Sequence, residues 1–108
     1  MDADTQFAAL VEHFTDRPDV QPPGPGGRFG SAALTVDGAI FAMLRHGQLV
    51  VKLPADRVAD LITADRGGPF DAGKGRPMRE WLTASHPQDW LALAEEALTF
   101  ARTRSRPR

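Results

Sequence analysis

The sequence contains no cysteine, which excludes a disulfide framework, a thiolate metal site and a cysteine nucleophile. It also lacks a long hydrophobic run, because charges and glycines interrupt every apolar stretch well short of the roughly 20 residues a membrane span requires. The first residues, MDADTQ, are acidic and carry no basic-then-apolar signal pattern. An excess of either charge is missing too, since 13 basic residues face 14 acidic ones. So close a balance gives no global attraction to nucleic acid or to a membrane. These absences predict a cytoplasmic protein with no membrane partner. A chain of 108 residues fits one domain, 1–108, large enough to bury a core without a disulfide or a metal. What charge there is lies unevenly: the first twenty residues lean acidic, and Arg102 to Arg108 hold four arginines.

The chain is organised around Ser31 to Leu53, SAALTVDGAIFAMLRHGQLVVKL. Asp37-Gly38 is a strong two-residue hairpin signal, because a type I′ turn needs positive φ at both central residues. His46-Gly47 is a weaker form of the same signal. Together they predict a three-stranded antiparallel meander whose register is fixed by the turns. The first turn would pair Val36 with Ala39, Leu34 with Phe41 and Ala32 with Met43. The second would pair Arg45 with Gln48, Met43 with Val50, Phe41 with Lys52 and Leu44 with Leu49. Opposed residues share a side of the sheet. One predicted side carries Ile40, Ala42, Leu44, Leu49, Val51 and Leu53 with Ala33 and Thr35, and is the expected core. The other carries Leu34, Val36, Phe41, Met43 and Val50, edged by Arg45, Gln48 and Lys52. An apolar centre with a charged rim is how protein interfaces are built. That side is the predicted interaction face, covered by a protein partner or by a second copy in a symmetric homodimer.

Helices flank the meander. Phe7, Leu10, Val11 and Phe14 have amphipathic helical spacing over residues 4 to 15, with Asp4 as the expected N-cap and Pro18 beyond the end. Residues 18–27, PDVQPPGPGG, form a Pro/Gly-rich linker or wrapped loop. Pro54 opens a short helix with Val58, Leu61 and Ile62 on one side, closed by Arg66-Gly67-Gly68. Phe70 anchors a short extended piece in a turn-rich stretch. Met78 to Ala84 is a further strand candidate, with Met78 and Leu82 on one side and Arg79 and Trp81 on the other. Ser85 and Gln88 have capping-box spacing, and Trp90, Leu91, Ala94, Ala97, Leu98 and Ala101 form the stripe of a long helix. Glu95 and Glu96 are expected on its wet side. Residues 105–108 are expected to be a disordered Arg-rich tail. The pattern α-β-β-β-α-β-β-α is α+β: a two-layer, mainly antiparallel sheet with helices on one face.

Catalytic motifs are absent. His13, His46 and His86 lack metal-ligand spacing, no nucleophile elbow surrounds Ser31, Ser85 or Ser105, and Asp56-Asp60 and Glu95-Glu96 read as solvated helix faces. No metal, cofactor or catalytic residue is expected. Gly24 to Gly30 matches no phosphate-binding pattern. Gly73-Lys74-Gly75-Arg76 offers Lys74 and Arg76 as an anion loop, although a tight connection between strands is the simpler reading. Arg45, Lys52, Lys74, Arg76 and the tail define an alternative of weak nucleic-acid contact. A small ligand or substrate using the 69–77 loop is a second alternative.

The order Arg28-Phe29-Gly30, a DG-turned hairpin, Val50-Val51-Lys52-Leu53-Pro54, Pro69-Phe70, then Gly75-Arg76-Pro77-Met78 and Trp81 resembles the TfoX N-terminal domain (TfoX/Sxy) family over about residues 5 to 104. Ser31 replaces the second glycine of the family's opening motif, and Arg28 stands where Met is commoner. The resemblance implies a single-domain member, with a fold similar to YjbR-like proteins and type III secretion chaperones. It implies a non-enzymatic regulatory role, since the full-length proteins regulate natural competence by acting on transcription with a partner activator. The family supplies no catalytic residues to transfer.

Overall fold

The two dipeptides fold as their residue types require. Asp37 and Gly38 have φ of 52° and 80°, and His46 and Gly47 have 53° and 75°, the paired left-handed conformation of type I′ turns. The computed structural model describes residues 2–22, 32–71 and 78–105. Its elements run α1 (Ala3–His13), β1 (Val20–Gln21), β2 (Ala32–Val36), β3 (Ala39–Arg45), β4 (Gln48–Lys52), α2 (Ala55–Thr63), β5 (Gly67–Pro69), β6 (Trp81–Ala84), a 3₁₀ turn (Pro87–Asp89) and α3 (Trp90–Ser105). One six-stranded sheet has the order β1-β2-β3-β4-β6-β5, with every pairing antiparallel. The fold is a two-layer α+β structure, as the periodicity predicts. The additional strand β1 lies in the Pro/Gly-rich segment and pairs Val20 with Val36 at the sheet edge.

The β3–β4 register is as predicted next to its turn, with Met43 opposite Val50, Leu44 opposite Leu49 and Arg45 opposite Gln48, but the expected Phe41–Lys52 pair is not formed. The β2–β3 register keeps the predicted Val36–Ala39 pair beside the turn but not the Leu34–Phe41 and Ala32–Met43 pairs beyond it. It runs Val36↔Ala39 and Thr35↔Ile40, then shifts to Leu34↔Ala42 and Ala33↔Met43. Phe41 is therefore the extra residue of a β-bulge. A one-residue slip turns side chains to the opposite face, so the predicted faces of Ala33 to Val36, Ile40 and Phe41 are exchanged while those from Ala42 onward hold. Leu34, Val36 and Phe41 lie in the main core, fully buried, with Ala42, Leu44, Leu49, Val51 and Leu53. Ile40, expected in the core, is 39% exposed.

All three helices cover this one face. Phe7, Leu10 and Phe14, then Val58 and Leu61, then Trp90, Leu93, Ala94, Ala97, Leu98 and Ala101 join the strand residues in one apolar cluster. Phe14 meets Phe41 edge to face at 5.7 Å. No polar or charged side chain among the described residues is buried.

Several helix ends differ from expectation. The cap of α1 is Asp2, which accepts from Thr5 N at 2.8 Å, because the helix starts earlier than Asp4. The end of α2 is formed by Asp65, not by glycine: it takes φ 63° while Arg66 N donates to Leu61 O and Asp65 N to Ile62 O. These bonds satisfy the last carbonyls in a Schellman arrangement. Gly67 instead begins β5, where a Cβ would come within 2.7 Å of both Leu82 Cδ1 and Thr83 O. No side chain caps the 3₁₀ turn before α3, whose N-cap position is His86, so the Ser85–Gln88 capping box does not start that helix. On α3, Leu91 is 45% exposed and Leu93 takes the buried position expected of it.

Candidate interaction surface

Alternation along β2, β3, β4 and β6 gives the sheet a second face, which carries Ala33, Met43, Arg45, Val50, Lys52 and Trp81. Registers set them side by side: Ala33 opposite Met43, Met43 opposite Val50, and Lys52 opposite Trp81. Phe70 comes over the sheet just after β5 and buries Met43 and Val50 in a small separate cluster with Met78 and Trp81 around it. Its backbone is pinned there by Met78 N, which donates to Phe70 O at 2.8 Å. The Phe70 and Trp81 rings are 6.3 Å apart and tilted by 56°.

Of the seven residues predicted for an interaction face, the structure brings Met43, Val50, Arg45 and Lys52 together on this side and sends Leu34, Val36 and Phe41 to the opposite one. Met43 and Val50 are themselves buried under Phe70, so the centre of this face is smaller than the sequence suggests. Sequence reasoning placed neither Phe70 nor Met78 here. Met78 was expected beside Leu82, but β6 starts only at Trp81 and a turn places Met78 O against Trp81 N at 3.1 Å. The expected alternation that sets Trp81 opposite in side to Leu82 holds, and β6 pairs with β4 so that Trp81 lies beside Lys52. The proposed anion loop of Lys74 and Arg76, the Arg28-Phe29-Gly30 motif with Ser31, and the tail beyond Ser105 lie outside the described residues.

Two cations define the electrostatics of this side. Arg45 Cζ lies 5.6 Å from the Phe70 ring centroid and Lys52 Nζ 5.5 Å from that of Trp81. Cations over aromatic faces are attracted by the ring quadrupole. Neither is in an ion pair among the described residues.

The helical side is built in the opposite manner. Arg17 donates to Glu95 at 2.7 Å, Arg57 to Glu96 at 2.7 Å, Arg66 to Asp89 at 2.9 Å and Arg102 to Asp19 at 2.7 Å. Each pair joins elements far apart in sequence. Hydrogen bonding from Arg17, with a further contribution from His13, lowers the Glu95 carboxyl to about 2. Arg102 and Arg66 likewise hold Asp19 and Asp89 below the usual carboxylate range. Glu95 and Glu96 are therefore half-buried staples and not simply wet positions.

The histidines have local partners. His13 Nε2 lies 2.6 Å from Glu95 Oε2, His86 Nε2 lies 3.0 Å from Asp65 O, and His46 occupies its turn. Among the described residues no group of three or more His, Asp or Glu side chains is placed to hold a metal, and no helix is long and apolar enough to cross a membrane.

A groove of about 260 Å³ borders the second face, between α2 and the residues flanking Trp81. Ile62, Pro69, Met78 and Trp81 give it apolar walls, with Asp56 and Arg79 as its charged lining. Comparison with protein families, with curated proteins and with solved structures returns no match.

Proposed function

We propose that this chain is a cytoplasmic, non-catalytic protein-interaction domain of the TfoX N-terminal type, and that it works through the second face of its sheet. The observation that carries this reading is the contrast in how cations are held. Arginines around the helices are matched by carboxylates of the chain itself, whereas Arg45 and Lys52 rest on aromatic rings. Arg, Trp and Met beside an apolar centre are the residues that protein interfaces favour. The acids whose pKa values are displaced on the helical side are all occupied in element-bridging pairs or a helix cap, which supports a structural role for them.

A photo-crosslinking residue introduced in the native host tests the reading by position. Replacing Gln48, exposed beside Arg45 on the second face, should yield adducts to protein. Replacing Thr99, exposed on α3, should not. Adducts from Thr99 alone, or no protein adduct from Gln48, would overturn it. The groove beside Trp81 favours a second reading, a small ligand held near the 69–77 loop, and predicts protection of Trp81 from quenching by that ligand without any protein adduct.

A further inference from the structure

We propose that the second face docks an acidic polypeptide segment, with carboxylates meeting Arg45 and Lys52 and an apolar side chain seated in the groove beside Trp81. This rests on the protein-interaction reading and specifies the partner's chemistry. The argument begins with where acid is absent. The residues outside the described stretches include no Asp or Glu, so all 14 acidic residues lie at described positions. None of them occupies a strand position on the second face, where the registers place Arg45 and Lys52. Among the described residues neither cation forms an ion pair, while four arginines of the helical side do.

Charge complementarity selects among occupants. A two-fold contact is isologous, meeting the same patch on both copies. Through this face it would oppose Arg45 and Lys52 to their own equivalents with no carboxylate on a strand position between them, and like-charge juxtaposition is strongly disfavoured. The symmetric homodimer expected from the sequence is thus the poorer fit. Single-stranded nucleic acid needs open ring faces on which bases stack. Here Phe70 is only 7% exposed, and both rings already carry a cation. An acidic segment needs neither open rings nor self-complementary charge. Lys52 Nζ lies over the Trp81 ring and Lys52 is not part of the groove lining, which leaves Ile62, Pro69, Met78 and Trp81 to receive an apolar side chain. Asp56 and Arg79, which also line the groove, carry opposite charges, so the groove itself selects for an apolar side chain through its walls and the acidic contacts fall to Arg45 and Lys52.

Fluorescence anisotropy tests this with three labelled probes: a 12-residue peptide of alternating Glu and Leu, its Lys-for-Glu twin, and an oligothymidylate of similar length. The acidic peptide should bind, more tightly at low salt. The Lys twin and the oligonucleotide should not. The double variant Arg45→Glu/Lys52→Glu should weaken the acidic peptide by at least about tenfold while its thermal midpoint stays near that of the parent. Arg45→Gln/Lys52→Gln serves the same purpose if charge reversal impairs folding. Equal binding by parent and both variants, binding of the Lys twin, preference for the oligonucleotide, or no peptide binding would each overturn the proposal. A parent that is dimeric until these cations are reversed would also overturn it, in favour of self-association. If Gln48 still crosslinks to protein while the acidic peptide fails to bind, only the partner chemistry is wrong. If both fail, the interaction reading falls with it.

Discussion

The two faces of the sheet hold similar side chains in opposite ways. On the helix-covered face, residues from three helices interlock with Leu34, Phe41, Val51 and Leu82, and the surrounding arginines bind carboxylates of other elements. On the second face, three buried side chains make a small cluster, and the neighbouring cations lie over Phe70 and Trp81. The difference separates two uses of positive charge. An arginine already paired within the chain fixes helix positions, whereas a cation resting on a ring can gain a carboxylate without breaking an existing ion pair.

The comparison breaks most severely at Phe41. If the bulge places this ring in the main core, Phe41→Ala should cost about 3–5 kcal/mol, read by urea denaturation. A loss under about 1 kcal/mol, the scale of surface changes, would return Phe41 to the second face. Next in size is Gly38→Val. Gly38 has φ 80° with open space around it, so the cost is backbone strain alone, about 1–3 kcal/mol. A variant as stable as the parent would contradict the type I′ turn.

Glu95→Gln should have a smaller effect that depends on pH. The native carboxyl is lowered from 4.5 to about 2, so its stabilisation is present above pH 4.5 and is lost as pH falls toward 2. Partial exposure of both partners reduces its size. Thermal midpoints of parent and variant should differ near pH 6 and converge as pH is lowered through this window. A difference that stays constant from pH 6 to pH 2 would mean that the pair contributes nothing through ionisation. Ile40→Thr should change least, within about 0.5 kcal/mol, because Ile40 points away from the helix-covered core. A loss of about 1 kcal/mol or more would restore it to that core.

What the sequence made legible follows from how local each signal is. Asp37-Gly38 and His46-Gly47 carry their turn type in two residues, and α3 carries its stripe within one helix. The bulge was illegible because Ala39 to Leu44, AIFAML, is apolar at every position. Alternation cannot fix a face where no polar residue marks one. The β3–β4 register survived because Arg45 and Gln48 flank a tight turn. Asp65 was missed as a helix end because glycines follow it and offered the simpler explanation. Glu95 looked like a solvated residue because its partner Arg17 is 78 positions away. Phe70 over Arg45 is likewise a product of the loop that returns it to the sheet.

The two tryptophans lie on opposite sides and make the central claim directly measurable. Trp81 borders the second face beneath Lys52, while Trp90 is 4% exposed in the helix-covered core. In a ¹⁵N-labelled protein titrated with the acidic Glu–Leu peptide, the account predicts that the Trp81 indole N–H and the Arg45 Nε–H resonances move together while the Trp90 indole stays in place. Movement of Trp90 without Trp81, or no movement of either at saturating peptide, would contradict it.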